Sequence, residues 1–521
     1  MTGIPTDKDA SRVAAGAGLV TLARTVGGIL NLLLIVVLTR LLSKGDFATV
    51  IAIYLVHELI TAVGPLGLPS ALSFFVPKLG RQAGRSLATT TSILLFAMGL
   101  PIALGLVFGG PAIADAIGQP QLGIGLAIIS VAVLADMPGQ TLPSYLIAKE
   151  AYIGAFWVTL LFYLTRFASF VVPAYLGYSP AVIIGCFSAV AVLRFLWLFI
   201  YLVFFEKGAV RRQESDQWSI GELYTYGLPM AASLVVGKLN IQLDKYMIFV
   251  LLTPAAFAVF TVGAIEIPLV TSIAYSVTTA LIPTLVKAHQ AGDIERFMGY
   301  WHGSMTKVAS IMMPIWVFCM VFAEPIMKVI FSASYAEAAI PFRVYLCLLP
   351  LRLCGYGAVV RAIGHTKPVL WAASLGLLVN VVLNYPLYLL FGMPGPALAS
   401  ILAQVTAIGV LLRCIRRALN LTVMEVFPFA SVLKALSVAI VSALPLWGVI
   451  LWTSSDVPRL VTGASIYLIT YLCLGLMTRV IARSDLVYLL GFLTGRTMGQ
   501  ARTLAEKEQD PATDRDDERT I

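Results

Sequence analysis

Long uninterrupted hydrophobic runs recur from residue 14 to residue 480, separated by short polar connections. Most runs approach the roughly 20 residues that an α-helix needs to cross the hydrocarbon core of a bilayer. Their apolar positions are continuous rather than alternating, which favours helices over barrel strands. The pattern predicts fourteen spans, within residues 14–38, 47–68, 87–109, 122–147, 151–177, 181–205, 224–252, 255–286, 304–330, 336–360, 368–391, 395–412, 430–452 and 460–478.

The predicted fold class is an all-α polytopic membrane protein with about 14 transmembrane helices. A weak repeat, "LLSKGDFATVIAIY" after span one and "VLLTPAAFAVFTVG" after span seven, suggests two pseudo-symmetric six-helix bundles plus two C-terminal helices. The predicted divisions are a cytoplasmic N-terminus (1–13), an N-terminal bundle (14–205), a cytoplasmic linker (206–223), a C-terminal bundle (224–420), transmembrane helices 13 and 14 (430–480), and an interfacial segment with a disordered cytoplasmic tail (481–521).

Composition excludes an ordinary soluble enzyme with one buried core. Only 12% of the residues are charged and 59% are hydrophobic, whereas soluble domains carry about 25% charged residues. The six cysteines lie in or beside apolar runs without metal-type spacing, and they are expected to be small buried hydrophobes.

Basic residues between the spans predict the orientation of the chain. Fourteen lie in the connections that follow even-numbered spans, against four in those that follow odd-numbered spans. Because cytoplasmic loops carry the excess of Lys and Arg, both termini are predicted to be cytoplasmic. An even number of spans leads to the same conclusion. The expected location is therefore a bacterial inner (cytoplasmic) membrane.

The sequence contains no recognisable motif for nucleotide hydrolysis or for catalysis. The one Gly-Lys pair, Gly237-Lys238, is followed by Leu239, so the phosphate-binding loop of nucleotide hydrolases is missing. The four histidines are scattered, without the spacing of metal ligands. We expect no enzyme activity, no metal and no cofactor.

Polar residues inside the predicted spans carry the functional information, because a charge at the bilayer centre costs about 2.5–3.5 kcal/mol on insertion scales. The candidate substrate-binding cations are Arg24, Arg166, Arg194, Lys238, Lys245 and Arg352. The candidate polar or coupling residues are Asn31, Glu58, Asp136, Asp244, Glu266, Asn380 and Asn384. The cations could line a cavity for a phosphate or pyrophosphate. Alternatively, the charges pair across helices and only hold the bundle together.

Helical spacing places some of these residues on shared faces. Arg24 and Asn31 lie on one face of span one together with Gly27 and Gly28, which would leave room beside the guanidinium group. Lys238, Gln242 and Lys245 share a face of span seven. Asp244 lies about 100° round the helix from Lys245, so it is expected to turn toward a neighbouring helix.

Five segments resemble Wzx-type polysaccharide flippases, over spans one to twelve. They are "LTRLLSKGDFATVIAIYLV" (38–56), "LGLPSALSFFVPKLGR" (66–81), "YGLPMAASLVVGKLNIQLDKYMIF" (226–249), "FTVGAIEIPLV" (260–270) and "NVVLNYPLYLLFGMPGPALAS" (380–400). This family is part of the MOP superfamily, which includes lipid II flippases and MATE exporters. The Asp244–Lys245 pair resembles an acidic-then-basic position of span seven in the family, and Arg24 resembles a basic position of the lipid II flippases.

The resemblance implies a secondary transporter that moves undecaprenyl-pyrophosphate-linked oligosaccharide units across the inner membrane through a cationic central cavity. Such transport serves O-antigen, capsule or exopolysaccharide synthesis. The implied partners are the lipid-linked substrate and membrane lipids, with a polymerase and a chain-length regulator of the same pathway. Nucleic acid is not an expected partner.

Two other functions remain open at this point. A drug or metabolite exporter of the MATE type would share the fold, although no MATE cation-site motif is recognisable. A membrane-bound polymerase or ligase would usually need a substantial periplasmic loop. The longest outward loop here, at about 110–121, contains no basic residue, which argues against such an enzyme.

Overall fold

The computed structural model describes residues 7–79, 81–205, 219–265 and 267–481. Within these ranges the regular structure is helical, which confirms the all-α class. The helices are α1 (Asp7–Leu41), α2 (Lys44–Val63), α3 (Leu68–Phe75), α4 (Arg81–Ala116), α5 (Leu122–Gly139), α6 (Thr141–Ala148), α7 (Tyr152–Tyr175), α8 (Pro180–Ile200), α9 (Ile220–Leu251), α10 (Pro254–Gly263), α11 (Pro268–Gln290), α12 (Ile294–Val321), α13 (Ala323–Ile330), α14 (Ala339–Leu346), α15 (Tyr356–Ala362), α16 (Lys367–Phe391), α17 (Gly395–Leu419), α18 (Val423–Val426), α19 (Phe429–Ala443), α20 (Leu446–Trp452) and α21 (Asp456–Met477). Short 3₁₀ turns at Val76–Lys78, Ala333–Ala338 and Pro350–Arg352 and a π turn at Tyr201–Phe205 complete them.

Twelve helical stretches in the described ranges are long and apolar enough to cross a membrane. The protein is therefore a multi-pass membrane protein, but the predicted count of fourteen is not confirmed. Predicted span seven falls on α9, whose polar residues, among them Glu222 and Lys238, lower its hydropathy. Predicted span eight falls on two helices, the ten-residue α10 and then α11.

The described chain forms two compact units. The first comprises the residues up to Pro268 with Ile330–Phe342 and Leu370–Ala407, and the second comprises Leu269–Val329, Arg343–Val369 and the described residues from Ile408 onward. The predicted bundles, 14–205 and 224–420, stay predictions. Most of the predicted linker and nearly all of the predicted interfacial segment and tail lie outside the described residues.

The two segments of the predicted repeat begin their helices in the same way. The Ser43 hydroxyl accepts a hydrogen bond from the Asp46 amide at the start of α2, and the Thr253 hydroxyl accepts one from the Ala256 amide at the start of α10. Such N-caps satisfy amides that have no partner within the helix. Four residues after each cap stands a phenylalanine, Phe47 or Phe257, that is fully buried. The repeat therefore encodes a capped helix start that anchors an aromatic side chain.

Two glycines allow the turn between α2 and α3 to contact α9 directly. Gly67 has a left-handed backbone with φ of 75°. A β-carbon there would collide with the carbonyl oxygen of Gly227, and one on Gly227 would lie 3.0 Å from the Leu66 oxygen. Both glycines fall within the family-like segments at 66–81 and 226–249. The backbone contact therefore explains why these segments have glycine at these two positions.

An aromatic core in the first unit surrounds its polar residues. Phe170 of α7 and Phe187 of α8 are each 1% exposed, and their rings lie 5.1 Å apart. Both rings contact Tyr54 of α2, and Phe187 also lies edge-on to His57. Helices α2, α7 and α8 therefore meet through aromatic packing at the level of the charged residues described below.

Candidate functional site

A buried charge cluster joins α2, α5 and α8 in the first unit. The Asp136 carboxylate, whose side chain is 4% exposed, accepts a hydrogen bond of 3.1 Å from Arg194 Nη1 at Oδ1. His57 Nε2 lies 3.1 Å from the other oxygen, Oδ2. The Arg194 guanidinium also lies over the Phe162 ring, 3.9 Å from its centroid. Arg194 is thus the counter-ion of Asp136, and the pairing alternative describes it better than a role in substrate binding.

Arg166 of α7 is a buried cation whose hydrogen-bond partners are neutral. Its Nη1 donates to the Tyr54 hydroxyl at 2.8 Å, and its Nη2 donates to Asn31 Oδ1 at 2.9 Å. The guanidinium carbon lies 5.3 Å from the centre of the Tyr163 ring, within the range of a cation–π interaction. Arg166 therefore ties α7 to α1 and α2 through its two terminal nitrogens.

The third group joins Glu58 of α2 to two residues of α9. Lys238 Nζ lies 2.6 Å from Glu58 Oε1, and Gln242 Nε2 donates to Glu58 Oε2 at 3.1 Å. The Lys238 and Glu58 side chains are 24% and 30% exposed, so this pair is less enclosed than Asp136 and Arg194. We call Lys238 and Gln242 together the α9 clamp. The predicted shared face of span seven brings both residues to one carboxylate.

Asp244 lies one helical step from Lys245 but has other partners. It is 1% exposed, and its two oxygens accept hydrogen bonds from Asn384 Nδ2 at 3.1 Å and from the Ser400 hydroxyl at 2.6 Å. Asn380 completes the group through Asn384 and Ser400. Asp244 turns to α16 and α17, two helices of its own predicted bundle, as the sequence suggested.

The carboxylate, amide and hydroxyl oxygens around Asp244 are the type of ligand that hard cations prefer. In the described ranges, no three His, Cys, Asp or Glu side chains come together as a metal site. Among the described residues of the Asp244 group, Asp244 supplies the carboxylate, and both of its oxygens accept hydrogen bonds from Asn384 and Ser400. Its chemistry here is that of a hydrogen-bonded link between α9, α16 and α17.

The remaining predicted residues are placed as follows. Arg24 is exposed on α1, whereas Lys245 and Arg352 are half-buried. Glu266 lies outside the described residues. The expected space beside Arg24 is only partly correct, because a β-carbon on Gly27 would collide with the Tyr163 ring, whereas one on Gly28 would meet nothing within 4 Å.

Two side chains of these polar groups were not predicted from the sequence. Tyr54 precedes His57 by one helical turn, and Ser400 ends the family-like segment at 380–400. The signal was weak in both cases, because a hydroxyl in an apolar span often bonds to its own helix backbone. Gln242 was predicted to line the cavity on the face of Lys238, but it was not among the candidate substrate-binding residues.

An apolar groove of about 790 Å³ lies in the second unit, along α12 and α21. Apolar side chains such as Ile311, Phe318, Leu468 and Leu472 form its walls. Lys307 contributes the basic group of this lining. The groove therefore combines a long hydrophobic surface with one positive charge.

Comparisons with known proteins agree with this architecture. The family model described as "Polysaccharide biosynthesis protein" matches residues 37–340. A comparison with curated proteins found no match. Among solved structures, the lipid II flippase MurJ in an inward closed conformation has a TM-score of 0.71 at 18% identity, covering 88% of this chain and 99% of that one. An inward-facing multidrug MATE transporter of the MOP superfamily has a TM-score of 0.56 at 14% identity, covering 75% and 94% of the two chains.

A MOP superfamily transporter from Pyrococcus furiosus has a TM-score of 0.50 at 14% identity, over 79% of this chain and 96% of that one. At these identities the structural likeness concerns the fold alone. The family match is different in kind, because it spans more than half of the chain. The protein belongs to the Wzx-type polysaccharide biosynthesis family and has the fold of the MOP superfamily transporters.

Proposed function

We propose that this protein is a flippase for undecaprenyl-pyrophosphate-linked oligosaccharides. It moves these units from the cytoplasmic to the periplasmic leaflet of a bacterial inner membrane, for O-antigen, capsule or exopolysaccharide synthesis. The observation that carries the proposal is the α9 clamp. A lysine and a glutamine one helical turn apart on α9 hold the Glu58 carboxylate of α2, and the Lys238 and Glu58 side chains are partly exposed.

The clamp has the chemistry that a pyrophosphate requires. Lysine supplies a point charge and an amide supplies a directed donor, and charge-assisted hydrogen bonds are stronger than neutral ones. Lys245, half-buried, and Arg24, exposed, are the other candidate cations in the same unit. Arg352, half-buried, lies in the second unit and is a separate candidate. Arg194 and Arg166 support the proposed site as structural cations. The proposed site in the first unit therefore contains three of the six predicted cations.

The lipid part of the substrate needs a different surface. A polyprenyl chain is a long hydrocarbon, so burying it against apolar side chains is favourable in proportion to the buried area. The groove along α12 and α21 has such walls, and Lys307 adds a positive charge to it. We assign the polyprenyl chain to this groove.

Transport is proposed to proceed by alternating access through a cationic cavity, with both termini in the cytoplasm. A polymerase and a chain-length regulator of the same pathway are the proposed protein partners. We propose no enzymatic step, because the family and the fold are those of transporters. The alternative function is a MATE-type exporter of drugs or metabolites, which the shared fold favours.

Replacing Lys238 by Ala should strongly reduce export without loss of the protein. A hydrogen bond to a charged group contributes about 1.5–3 kcal/mol, so transport should fall by about tenfold or more. The measurement is surface polysaccharide, together with undecaprenyl-linked units retained inside the cell, in a deletion strain that expresses each variant. Lys287→Ala removes an exposed lysine at the end of α11 and is the matched control, with normal export expected.

A second variant excludes an effect of the unpaired Glu58 carboxylate. Glu58→Gln combined with Lys238→Met removes both charges and leaves no uncompensated anion, and it should also fail to export. Normal polysaccharide from both Lys238 variants, at wild-type protein levels, would contradict the proposed role of the clamp. A deletion strain with intact polysaccharide and altered drug sensitivity would support the exporter instead.

A further inference from the structure

The α9 clamp is already occupied by an anion that belongs to the protein. Lys238 Nζ lies 2.6 Å from Glu58 Oε1, and Gln242 Nε2 lies 3.1 Å from Glu58 Oε2. Each carboxylate oxygen therefore has its own donor, and the donors lie four residues apart on one face of α9. This arrangement recognises two oxygens on one central atom, whether that atom is carbon or phosphorus.

Glu58 differs from the other described carboxylates of the predicted site in its enclosure. Asp136 and Asp244 are 3% and 1% exposed, and each is held by buried partners. The Glu58 side chain is 30% exposed and that of Lys238 is 24% exposed. A ligand can therefore reach the Glu58–Lys238 pair, whereas it cannot reach the oxygens of Asp136 without opening the aromatic core.

The small net stability of the Glu58–Lys238 ion pair also favours replacement of Glu58 by a ligand anion. Partly exposed ion pairs contribute little net free energy, because solvent screens the attraction and two long side chains lose freedom. A pyrophosphate carries more negative charge than a carboxylate and offers more acceptor oxygens. With Lys238 and Gln242 fixed on the same helix, the more highly charged group is the better ligand for both donors.

We propose that Glu58 is an internal substitute for the substrate phosphate. It occupies the α9 clamp while the site is empty, and a phosphoryl group of the lipid carrier displaces it on binding. The inference rests on the proposed function and names the chemical group that Lys238 and Gln242 recognise. Displacement also releases the ion pair between α2 and α9, so the arrival of substrate is sensed at the contact between these helices.

The test is binding of undecaprenyl pyrophosphate to the purified full-length protein in lipid nanodiscs. Glu58→Gln keeps the size of the side chain but removes the competing charge, so it should bind about two- to fivefold more tightly than wild type. Adding Gln242→Leu to Glu58→Gln should reverse the gain, because it removes one donor of the clamp. Adding Lys238→Met should reduce binding to the level of undecaprenol, the probe that has no phosphate.

The outcomes separate this inference from the proposed function. If wild type binds undecaprenyl pyrophosphate better than undecaprenol, but Glu58→Gln binds it equally or more weakly, Glu58 is not a competitor and the inference is wrong. If Glu58→Gln and the independent Glu58→Ala both bind more tightly, the inference is supported. Absence of phosphate-dependent binding in wild type and both Glu58 variants would overturn the inference and the proposed function together.

Discussion

Replacing Asp136 by Asn should destabilise the protein severely, because Arg194 then keeps its charge without a counter-ion. Removing one partner of a buried ion pair costs about 3–5 kcal/mol, which is a large fraction of the 5–15 kcal/mol, roughly, that keeps a domain folded. The Asp136 side chain is 4% exposed and that of Arg194 is 17% exposed, so water has little access to the place of the lost carboxylate. The expected result is a much lower melting temperature and little folded protein in the membrane.

The double variant Asp136→Asn/Arg194→Gln is the matched control for this prediction. It removes both charges, so the uncompensated cation is gone and part of the lost stability should return. In a double-mutant cycle, the losses in unfolding free energy of the two single variants should therefore add up to more than the loss of the double variant. Thermal unfolding of the detergent-solubilised variants measures this difference. Additive effects, or a stable Asp136→Asn protein, would show that Arg194 does not depend on Asp136.

Replacing Gly67 by Ala should have the second large effect, for two separate reasons. The left-handed backbone of Gly67 costs an alanine about 1–2 kcal/mol, and crowding a packed site costs typically about 1–3 kcal/mol more. The crowding arises because the new methyl group would collide with the Gly227 carbonyl of α9. The turn between α2 and α3 would have to move away from α9, with loss of stability measured by thermal unfolding.

Gly177 provides a control with the same backbone angle. Its φ is also 75°, but a β-carbon there would meet nothing within 4 Å. Gly177→Ala should therefore show the backbone cost alone, and Gly67→Ala should lose clearly more stability. Equal losses in the two variants would mean that the contact between Gly67 and Gly227 contributes nothing.

The fold was largely predictable because its signals are local in the sequence. Apolar run length indicates where a helix can cross a membrane, and Ser43 and Thr253 mark helix starts by their capping chemistry. The faces of α9 also followed from helical spacing, since Lys238 and Gln242 share one carboxylate while Asp244 turns elsewhere. Local signals failed where a segment is broken, as between α10 and α11.

The pairing of the charges could not be predicted, because it depends on contacts that are distant in the sequence. Glu58 and Lys238 are 180 residues apart, and Asp136 and Arg194 are 58 apart. The sequence pattern showed that basic residues lie in the predicted spans, but it did not show which of them have a carboxylate beside them. The same limit explains Ser400, whose role depends on Asp244, 156 residues earlier. Only the fold shows that the carboxylate beside Arg194 is buried, whereas the one beside Lys238 is partly exposed.

The central claim is that this chain moves pyrophosphate-linked sugars across a membrane by means of Lys238. The most direct measurement uses purified protein in liposomes that contain an undecaprenyl-pyrophosphate-linked oligosaccharide on the inner leaflet. An impermeant enzyme that cleaves the sugar reports how much of it reaches the outer leaflet. We predict that wild type and Lys287→Ala expose the sugar, whereas Lys238→Ala does so at least about tenfold more slowly. Exposure at the protein-free rate by folded wild-type protein, or full transport by Lys238→Ala, would contradict the account.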